Sequence, residues 1–314
     1  MAKRKTIDLE EVRNPSCEKY CNSKKRDEVT DNDLCTRALS LIDGLPVRCV
    51  GEWSRKKIFI LVKYFNMFTV SMKNKWNNLY YIEICSGPGK CIDRSVGNEI
   101  NGTSLCVAKR TEFKNIAKAV FFDNNPKIVE ILNHRITKLN LQNAHAHLGD
   151  YFKADDICEY IANETDKNGL YLIFIDPTDC SVPFDLIRKL KVKFKNIDFI
   201  INIAIGTDFT RNITNAIHNP QSYTKVINKY SSFLGSSDFF NNPQLKNSDT
   251  LDLRVLFRDY YVSSLEKIGY KFTSFVRIKN YYDLIFVSSH ERGLQFWEEA
   301  IKIEHDGQRQ LVFE

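Results

Sequence analysis

The chain has 314 residues, of which 43% are hydrophobic, and its formal net charge is +6. This length suffices for one large α/β domain or for a small domain beside a medium one, and the apolar fraction is ordinary for a globular protein. The weak positive charge permits a nucleic-acid partner without requiring one. No apolar run approaches the ~20 residues of a membrane span, and the N-terminus has no apolar signal core, so we expect a cytoplasmic protein that does not enter the membrane.

Residues 1–50 are polar, and they contain four of the nine cysteines: Cys17, Cys21, Cys35 and Cys49. We expect this N-terminal segment to be distinct from a domain covering residues 51–314. Two interpretations of its cysteines stay open. In the first interpretation, the four thiolates hold one structural zinc ion, and metal binding supplies the folding free energy that a small core lacks. The alternative, which the spacing favours, is a polar arm with reduced thiols, because paired CxxC units are absent.

Beyond residue 50, the hydrophobic pattern alternates between helical and strand periods. Helical spacing predicts helices over 52–76, 126–138, 183–194 and 251–268. Short β-prone apolar runs predict strands at 79–85, 119–123, 144–148, 170–175 and 197–203. Continuous apolar strands that alternate with helices are typical of a parallel sheet covered on both faces. Two more strands, 270–276 and 283–288, predict a C-terminal antiparallel hairpin, and 205–250 reads as an insertion with some helix.

Small and acidic residues occur at the ends of the predicted strands. In an open parallel sheet, ligands bind beyond the carboxyl ends of the strands. The first strand contains Glu83 and leads into the loop Ser86-Gly87-Pro88-Gly89, where glycines let a ligand approach the backbone closely. We expect Glu83 to bind the ammonium of an amino-acid moiety or to orient the loop.

The next two strand ends suit a nucleoside. Asp123 is placed to accept hydrogen bonds from both hydroxyls of a ribose, and Asp150 and Tyr151 are placed to bind an adenine amino group and to cover its face. A nucleoside joined to an amino acid is S-adenosylmethionine (SAM). The lack of a full GxGxxG disfavours a nicotinamide dinucleotide. The predicted cofactor-binding residues are Glu83, Ser86, Gly87, Pro88, Gly89, Asp123, Asp150 and Tyr151.

The chain resembles the three-Cys-motif partner protein (TcmP) family from about residue 43 to residue 313. The matching stretches are Trp53 with Lys56-Lys57, Tyr81-Ile82-Glu83-Ile84-Cys85-Ser86-Gly87-Pro88-Gly89, Gly102-Thr103-Ser104-Leu105, Phe174-Ile175-Asp176-Pro177 and Gly307-Gln308. The resemblance implies a Rossmann-like class I methyltransferase fold, with a mostly parallel sheet and a C-terminal antiparallel hairpin. It also implies a SAM site and a three-Cys-motif radical-SAM-like partner protein, but no settled substrate.

Asp176-Pro177-Thr178-Asp179 follows the fourth strand and is the predicted acceptor site. Enzymes that methylate adenine N6 carry Asp-Pro-Pro-Tyr or a close variant there, in which the acid binds the target amine and the aromatic stacks on the flipped base. Here Thr178 and Asp179 replace the second proline and the aromatic. We predict that Asp176 orients or deprotonates the acceptor and that Asp179 and Asn202 line the same edge.

Three functional hypotheses follow. The leading one is a SAM-dependent methyltransferase that acts on nucleic acid or on a partner protein. The second is a non-catalytic SAM-binding or partner-binding module, which the missing aromatic supports. The third is a metal-dependent nuclease or hydrolase that uses Asp150, Asp176 and Asp179. A series of basic residues follows the predicted acceptor site, and it comprises Arg188, Lys189, Lys191, Lys193 and Lys195. It would either contact phosphates or form a solvated helix face, and both interpretations stay open.

Overall fold

The computed structural model describes residue 7, residues 9–20 and residues 30–302. Two compact units are present: unit 1 comprises residues 1–148 and 296–314, and unit 2 comprises residues 149–295. Two features singled out from the sequence, Cys21 and Gly307-Gln308, lie outside the described residues. Within the described ranges, no helix combines the length and the apolar character that crossing a membrane requires.

Unit 1 contains nine strands and five helices in its described part. In chain order they are β1 (Val12–Arg13), α1 (Pro15–Tyr20), β2 (Thr30–Asp31), β3 (Leu34–Leu39), β4 (Pro46–Val50), α2 (Trp53–Met72), β5 (Leu79–Ile84), β6 (Lys90–Asp93), β7 (Asn98–Asn101), α3 (Thr103–Ala108), β8 (Lys118–Asp123), α4 (Pro126–Thr137), β9 (Ala144–Leu148) and α10 (Glu291–Ile301), the last of which begins in unit 2. Strands β5, β8 and β9 pair in parallel. Strands β5 and β8 are almost wholly buried, as their continuous apolar runs predict, whereas β9 is half-buried.

A second sheet in unit 1 was not expected from the sequence. Its strand order is β1-β7-β6-β4-β3-β2, in which only β4 and β6 run in parallel. The predicted N-terminal segment 1–50 therefore contributes four strands to a sheet that it shares with residues 90–101. These strands have two to six residues each, which is too short for a clear alternation of apolar and polar positions.

Unit 2 continues the α/β pattern. Its elements are α5 (Ala154–Glu164), β10 (Leu170–Ile175), α6 (Phe184–Lys193), β11 (Ile197–Ile203), α7 (Thr210–His218), α8 (Thr224–Leu234), α9 (Thr250–Lys267), β12 (Phe272–Ile278) and β13 (Tyr282–Ser288). Strands β10 and β11 are parallel, whereas β13 pairs antiparallel with both β11 and β12. The predicted α/β class, the Rossmann-like alternation and the C-terminal antiparallel hairpin are confirmed.

The predicted insertion near 205–250 packs around an aromatic cluster in unit 2. Its centre is Phe257 on α9, whose ring centroid lies 4.4 Å from that of Phe209, 5.7 Å from Phe233 and 5.5 Å from Phe239. All four side chains are buried. Burial of such large rings contributes strongly to stability, so the insertion belongs to the core of unit 2.

Gly206 marks a close approach between two backbone segments of unit 2. It lies in a π-helical turn, Ile205–Phe209, that follows β11 directly. Its N–H donates to the carbonyl of Tyr281 at 2.9 Å, and a β-carbon at this position would lie 1.8 Å from the carbonyl oxygen of Asn280. Only glycine fits here without moving the β12–β13 turn.

We expect Gly206→Ala to lower the free energy of unfolding by about 3 kcal/mol, because the backbone must shift to relieve the clash. Gly269→Ala is the control: its φ is +98° and nothing lies within 4 Å of its added β-carbon, so about 1–2 kcal/mol is expected there. Urea unfolding of both variants measures the difference. Equal losses of unfolding free energy in the two variants would show that the backbone contact at Gly206 does not exclude a β-carbon.

Candidate functional site

The loop Cys85–Gly89 in unit 1 connects β5 to β6 and has an unusual backbone. Cys85, Gly87 and Gly89 have φ values of 66°, 65° and 86°, in the left-handed region that favours glycine. A β-carbon on Gly89 would lie 2.8 Å from Leu132 and 2.9 Å from Leu105, so the missing side chain there makes room for core packing. The sequence predicted close ligand approach at both glycines, whereas at Gly89 the structure places protein side chains.

Asp123, at the end of β8, holds this loop by hydrogen bonds. Its Oδ2 accepts from the backbone N–H of Gly87 at 3.0 Å, and its Oδ1 accepts from the N–H of Asn125 at 3.1 Å. Burial raises the pKa of the Asp123 carboxyl above its ordinary value, although these two N–H groups and the charge of Arg48 oppose the shift. The carboxylate is thus fixed in orientation beside the glycine-rich loop.

A cavity of about 610 Å³ opens beside Asp123. Its lining is polar apart from two residues, and it consists of Asn32, Asp33, Asp123, Asn124, Asn125, Pro126 and Ile128. In the glycine-rich loop, Ser86 is buried and its Oγ has no hydrogen-bond partner among the described residues. A buried hydroxyl without a partner is costly, so a ligand that hydrogen-bonds Ser86 would remove that cost.

Glu83 lies on β5 and is fully buried. Its Oε2 accepts from the hydroxyl of Tyr81 at 2.8 Å, and its Oε1 accepts from the hydroxyl of Thr103 at the start of α3. These two contacts suit the orienting role predicted for Glu83, and its alternative role, the binding of an ammonium group, stays a prediction.

Arg135 on α4 is the main residue of the unit 1 site that was not predicted from the sequence. Its Nη1 donates to the carbonyl of Pro88 at 2.6 Å, and its Nε and Nη2 donate to the two oxygens of Asp43 at 2.8 and 2.9 Å. Both side chains are almost completely buried. A signal was present: Arg135 follows Ile128, Ile131 and Leu132 on the apolar face of α4, where a cation needs a buried partner.

In unit 2, the predicted acceptor residues Asp176 and Asn202 meet at the ends of β10 and β11. Asn202 Nδ2 donates to Asp176 Oδ1 at 2.9 Å and to the carbonyl of Pro177 at 3.3 Å. Asn202 is fully buried, and its Oδ1 has no hydrogen-bond partner within the described ranges. The arrangement orients the Asp176 carboxylate and leaves one buried acceptor for a ligand or a water.

Asp179 has a different neighbourhood. Lys229 on α8 forms ion pairs with Asp179 at 3.5 Å and with Asp208 in the π-helical turn. Burial works against the charge of Lys229, but its hydrogen bond to Asp208 and the two carboxylate charges outweigh burial and raise its pKa. Tyr230 also donates to Asp208 at 3.1 Å. Neither Lys229 nor Asp208 was predicted, because α8 and the turn lie in the weakly periodic insertion.

Asp150 and Tyr151 follow β9. Asp150 Oδ1 accepts from the N–H of Phe152 at 3.0 Å, which closes a turn, and the Tyr151 hydroxyl lies 3.0 Å from Ser181 Oγ. Their predicted contact with adenine stays a prediction. The ring of Phe152, centred 4.8 Å from that of Tyr151, is exposed.

Three residues of the basic series, Arg188, Lys189 and Lys191, lie on α6 and contact other residues of unit 2. Arg188 pairs with Asp185, and Lys189 contacts both Asp155 and Asp185. Lys191 donates to Ser289 Oγ at 2.6 Å and lies over the ring of Tyr270. These partly exposed contacts favour the solvated helix face over a surface reserved for phosphates.

The predicted zinc ligands in the described part of unit 1 lie in an apolar cluster. Cys17, Cys35 and Cys49 are buried with Ala38, Val47 and Ile92. No group of three or more His, Cys, Asp or Glu side chains is placed to hold a metal ion within the described residues. The structure therefore does not support the zinc interpretation, and the cysteines that it describes act as small apolar side chains.

Comparisons with known proteins give structural likeness only. No family model and no curated protein matches the chain, so the resemblance to the TcmP family stays a prediction. A Legionella pneumophila protein of family-model DUF519 is similar with a TM-score of 0.46 at 10% identity, over 82% of this chain and 95% of that one. Human methyltransferase-like protein 13 in complex with SAH has a TM-score of 0.41 at 13% identity, covering 79% and 92%. The methyltransferase domain of bacterial CtHen1-C has 0.37 at 9%, covering 73% and 98%. Likeness at this level carries no information on activity or partners.

The Asp43–Arg135 pair predicts acid-sensitive stability. Burial raises the pKa of the Asp43 carboxyl, but the hydrogen bonds and the charge of Arg135 outweigh burial and leave it well below its ordinary value. A pKa that is lower in the folded than in the unfolded state adds stability above the unfolded pKa of about 4, and this stability is lost as the pH falls further.

We therefore expect the difference in unfolding free energy between wild type and Asp43→Asn to shrink by roughly 1–2 kcal/mol from pH 6 to pH 2.5. Urea unfolding across this range measures it. Glu130→Gln, on the exposed side of α4, is the matched control. A pH-independent difference would contradict the role of the ion pair.

Proposed function

We propose that this protein is a SAM-dependent methyltransferase that holds its cofactor at Asp123. The observation that carries the proposal is Asp123, a buried carboxylate fixed at a strand end between the Gly87 loop and a 610 Å³ cavity. Each of its oxygens accepts one backbone hydrogen bond, and a carboxylate oxygen has capacity for a second. The two ribose hydroxyls of SAM are donors that fit this remaining capacity.

The rest of the unit 1 site fits the same ligand. Ser86 offers a buried hydroxyl without a partner among the described residues, and Arg135 fixes the carbonyl of Pro88, so the loop is rigid before a ligand arrives. A preorganised loop lowers the entropic cost of binding. When bound, SAM supplies an electrophilic methyl group, whereas the chain's residues bind, orient and exclude water.

In unit 2, Asp176 and Asn202 support binding of an acceptor that carries an N–H or O–H group. Asn202 aligns the Asp176 carboxylate, which would accept a hydrogen bond from the acceptor and take its proton during transfer. Asp179 is held by Lys229, which favours a positioning role for it rather than direct contact with the acceptor. Placement of the acceptor supplies much of the rate of such a displacement.

The class of acceptor follows from fewer observations. The segment after Asp176-Pro177 lacks the aromatic that stacks on a flipped base, and Arg188, Lys189 and Lys191 already have partners in unit 2. These facts favour a partner protein over nucleic acid. The three-Cys-motif radical-SAM-like protein that the sequence resemblance implies is one such partner. A non-catalytic SAM-binding module is the second candidate, and the missing aromatic favours it too.

Cofactor binding is tested by titration calorimetry with S-adenosylhomocysteine (SAH). We expect Asp123→Ala to weaken SAH binding by about 10- to 100-fold, because charge-assisted hydrogen bonds to the ribose are lost. Glu130→Ala, an exposed change in the same unit, should leave the affinity unaltered. A folded wild type that does not bind SAH would refute the proposed function. Unchanged affinity in Asp123→Ala would refute only the ribose assignment.

Catalysis is tested by methyl transfer from labelled SAM to pools of RNA, DNA and protein. Asp176→Asn should reduce transfer by about 10²- to 10⁴-fold while SAH affinity stays within twofold, because it removes the proton acceptor and not the cofactor site. Asp179→Asn should have a smaller effect. Wild type that binds SAH yet methylates none of the pools would favour the non-catalytic module.

A further inference from the structure

The turn between β2 and β3 is a short, rigid hairpin of the second sheet in unit 1. Thr30 pairs with Cys35 and Asp31 with Leu34, which leaves Asn32 and Asp33 as the two turn residues. Their φ values are 47° and 67°, the positive values of the two-residue turns that best suit β-hairpins. Asn and Asp tolerate this conformation better than other non-glycine residues. The turn therefore projects two polar side chains in a defined direction.

Packing holds this turn beside α4. Leu34, immediately after the turn, is buried against Ile128 and Ile131 of α4. Arg48 on β4 donates from Nη2 to Asp33 Oδ2 at 3.3 Å. Apolar packing on one side and an ion pair on the other fix the position of Asp33.

The turn lines the same cavity as Asp123. Asn32 and Asp33 form one part of its wall, and the segment from Asp123 to Pro126 forms another. Arg48 also lies against the cofactor loop, with its Nη1 3.3 Å from where a β-carbon of Gly87 would be. Asp33 raises the pKa of Asp123 and Arg48 lowers it, although burial is the larger cause of its shift. Asp33 and Arg48 therefore both act electrostatically on Asp123.

We infer that Asp33 and Arg48 belong to the nucleoside site and select a ligand whose ribose carries no phosphate. The inference rests on the proposed function. Asp33 offers a second carboxylate, next to Asp123, for a hydroxyl or amino donor of the nucleoside. Asp33 and Asp123 are the two charged side chains among the described residues that line the cavity, and the guanidinium of Arg48 pairs with Asp33. A phosphate on the ribose would meet this excess of negative charge and be repelled.

The test uses calorimetry on the full chain with two probes, SAH and adenosine 2′-monophosphate. Asp33→Asn keeps the size and the backbone preference of the turn but removes the charge. We expect SAH to bind about tenfold more weakly, because a charge-assisted hydrogen bond becomes a neutral one. In the same variant, the ratio of the affinity for adenosine 2′-monophosphate to the affinity for SAH should rise at least threefold over that of the wild type. This gain should shrink in 0.5 M salt, which screens charges at a partly exposed site.

Asp31→Asn is the matched control, because it makes the same charge change in the same hairpin at an exposed residue that does not line the cavity. It should leave both affinities unchanged. Arg48→Met is the second variant: it removes the partner of Asp33 and should also weaken SAH binding, with thermal melting used to confirm folding.

The outcomes separate the two proposals. If the folded wild type binds no SAH, the proposed function fails, and this inference fails with it. If the wild type binds SAH but Asp33→Asn behaves like Asp31→Asn with both probes, the inference alone is overturned and the turn is only a wall of the cavity.

Discussion

The guanidinium of Arg135 lies out of solvent, and it donates to both oxygens of Asp43 and to the carbonyl of Pro88. Removing a charge from water costs several kcal/mol, and here the opposite charge of the partner offsets this cost. Removing either Arg135 or Asp43 would leave the other buried without its partner charge. The pair therefore ties the segment before β4 and the helix α4 to the loop after β5. The other features of the unit 1 site depend on that fixed loop: the Gly87 N–H that reaches Asp123, the unpartnered hydroxyl of Ser86 among the described residues, and the place of Arg48 against Gly87.

The second sheet of unit 1 gives the N-terminal segment a role that its composition did not suggest. Its β2–β3 turn brings Asp33, which pairs with Arg48, to the cavity beside Asp123, while its cysteines fill a small apolar cluster. In the proposed site, the anchoring carboxylate comes from the βαβ framework and the further charges come from the added sheet. We therefore expect changes in the added sheet to alter ligand selection while the framework stays intact.

In unit 2, too, the strands and the added segment supply different residues of the candidate site. The strands β10 and β11 fix Asp176 and Asn202, and the helical insertion supplies Lys229 and Asp208, which hold Asp179. The insertion itself is stabilised by the aromatic cluster around Phe257 and by the close approach at Gly206. π-Helical turns occur often at functional sites, and this one carries Asp208 directly after β11.

The apolar runs in the sequence predict the βαβ elements, because strands buried on both faces must be continuously apolar, and the acids that follow these runs give the order of Asp123, Asp150 and Asp176. The sequence also predicts Asp176 and Asn202 at one edge, where the structure shows them hydrogen-bonded. Tertiary packing alone forms the second sheet, whose strands are too short to carry a periodic signal. It also decided which charges pair: Arg135 with Asp43, Arg48 with Asp33 and Lys229 with Asp179 are 92, 15 and 50 residues apart. Such pairs depend on how elements pack, because a charged side chain shows its character in a sequence but not its partner.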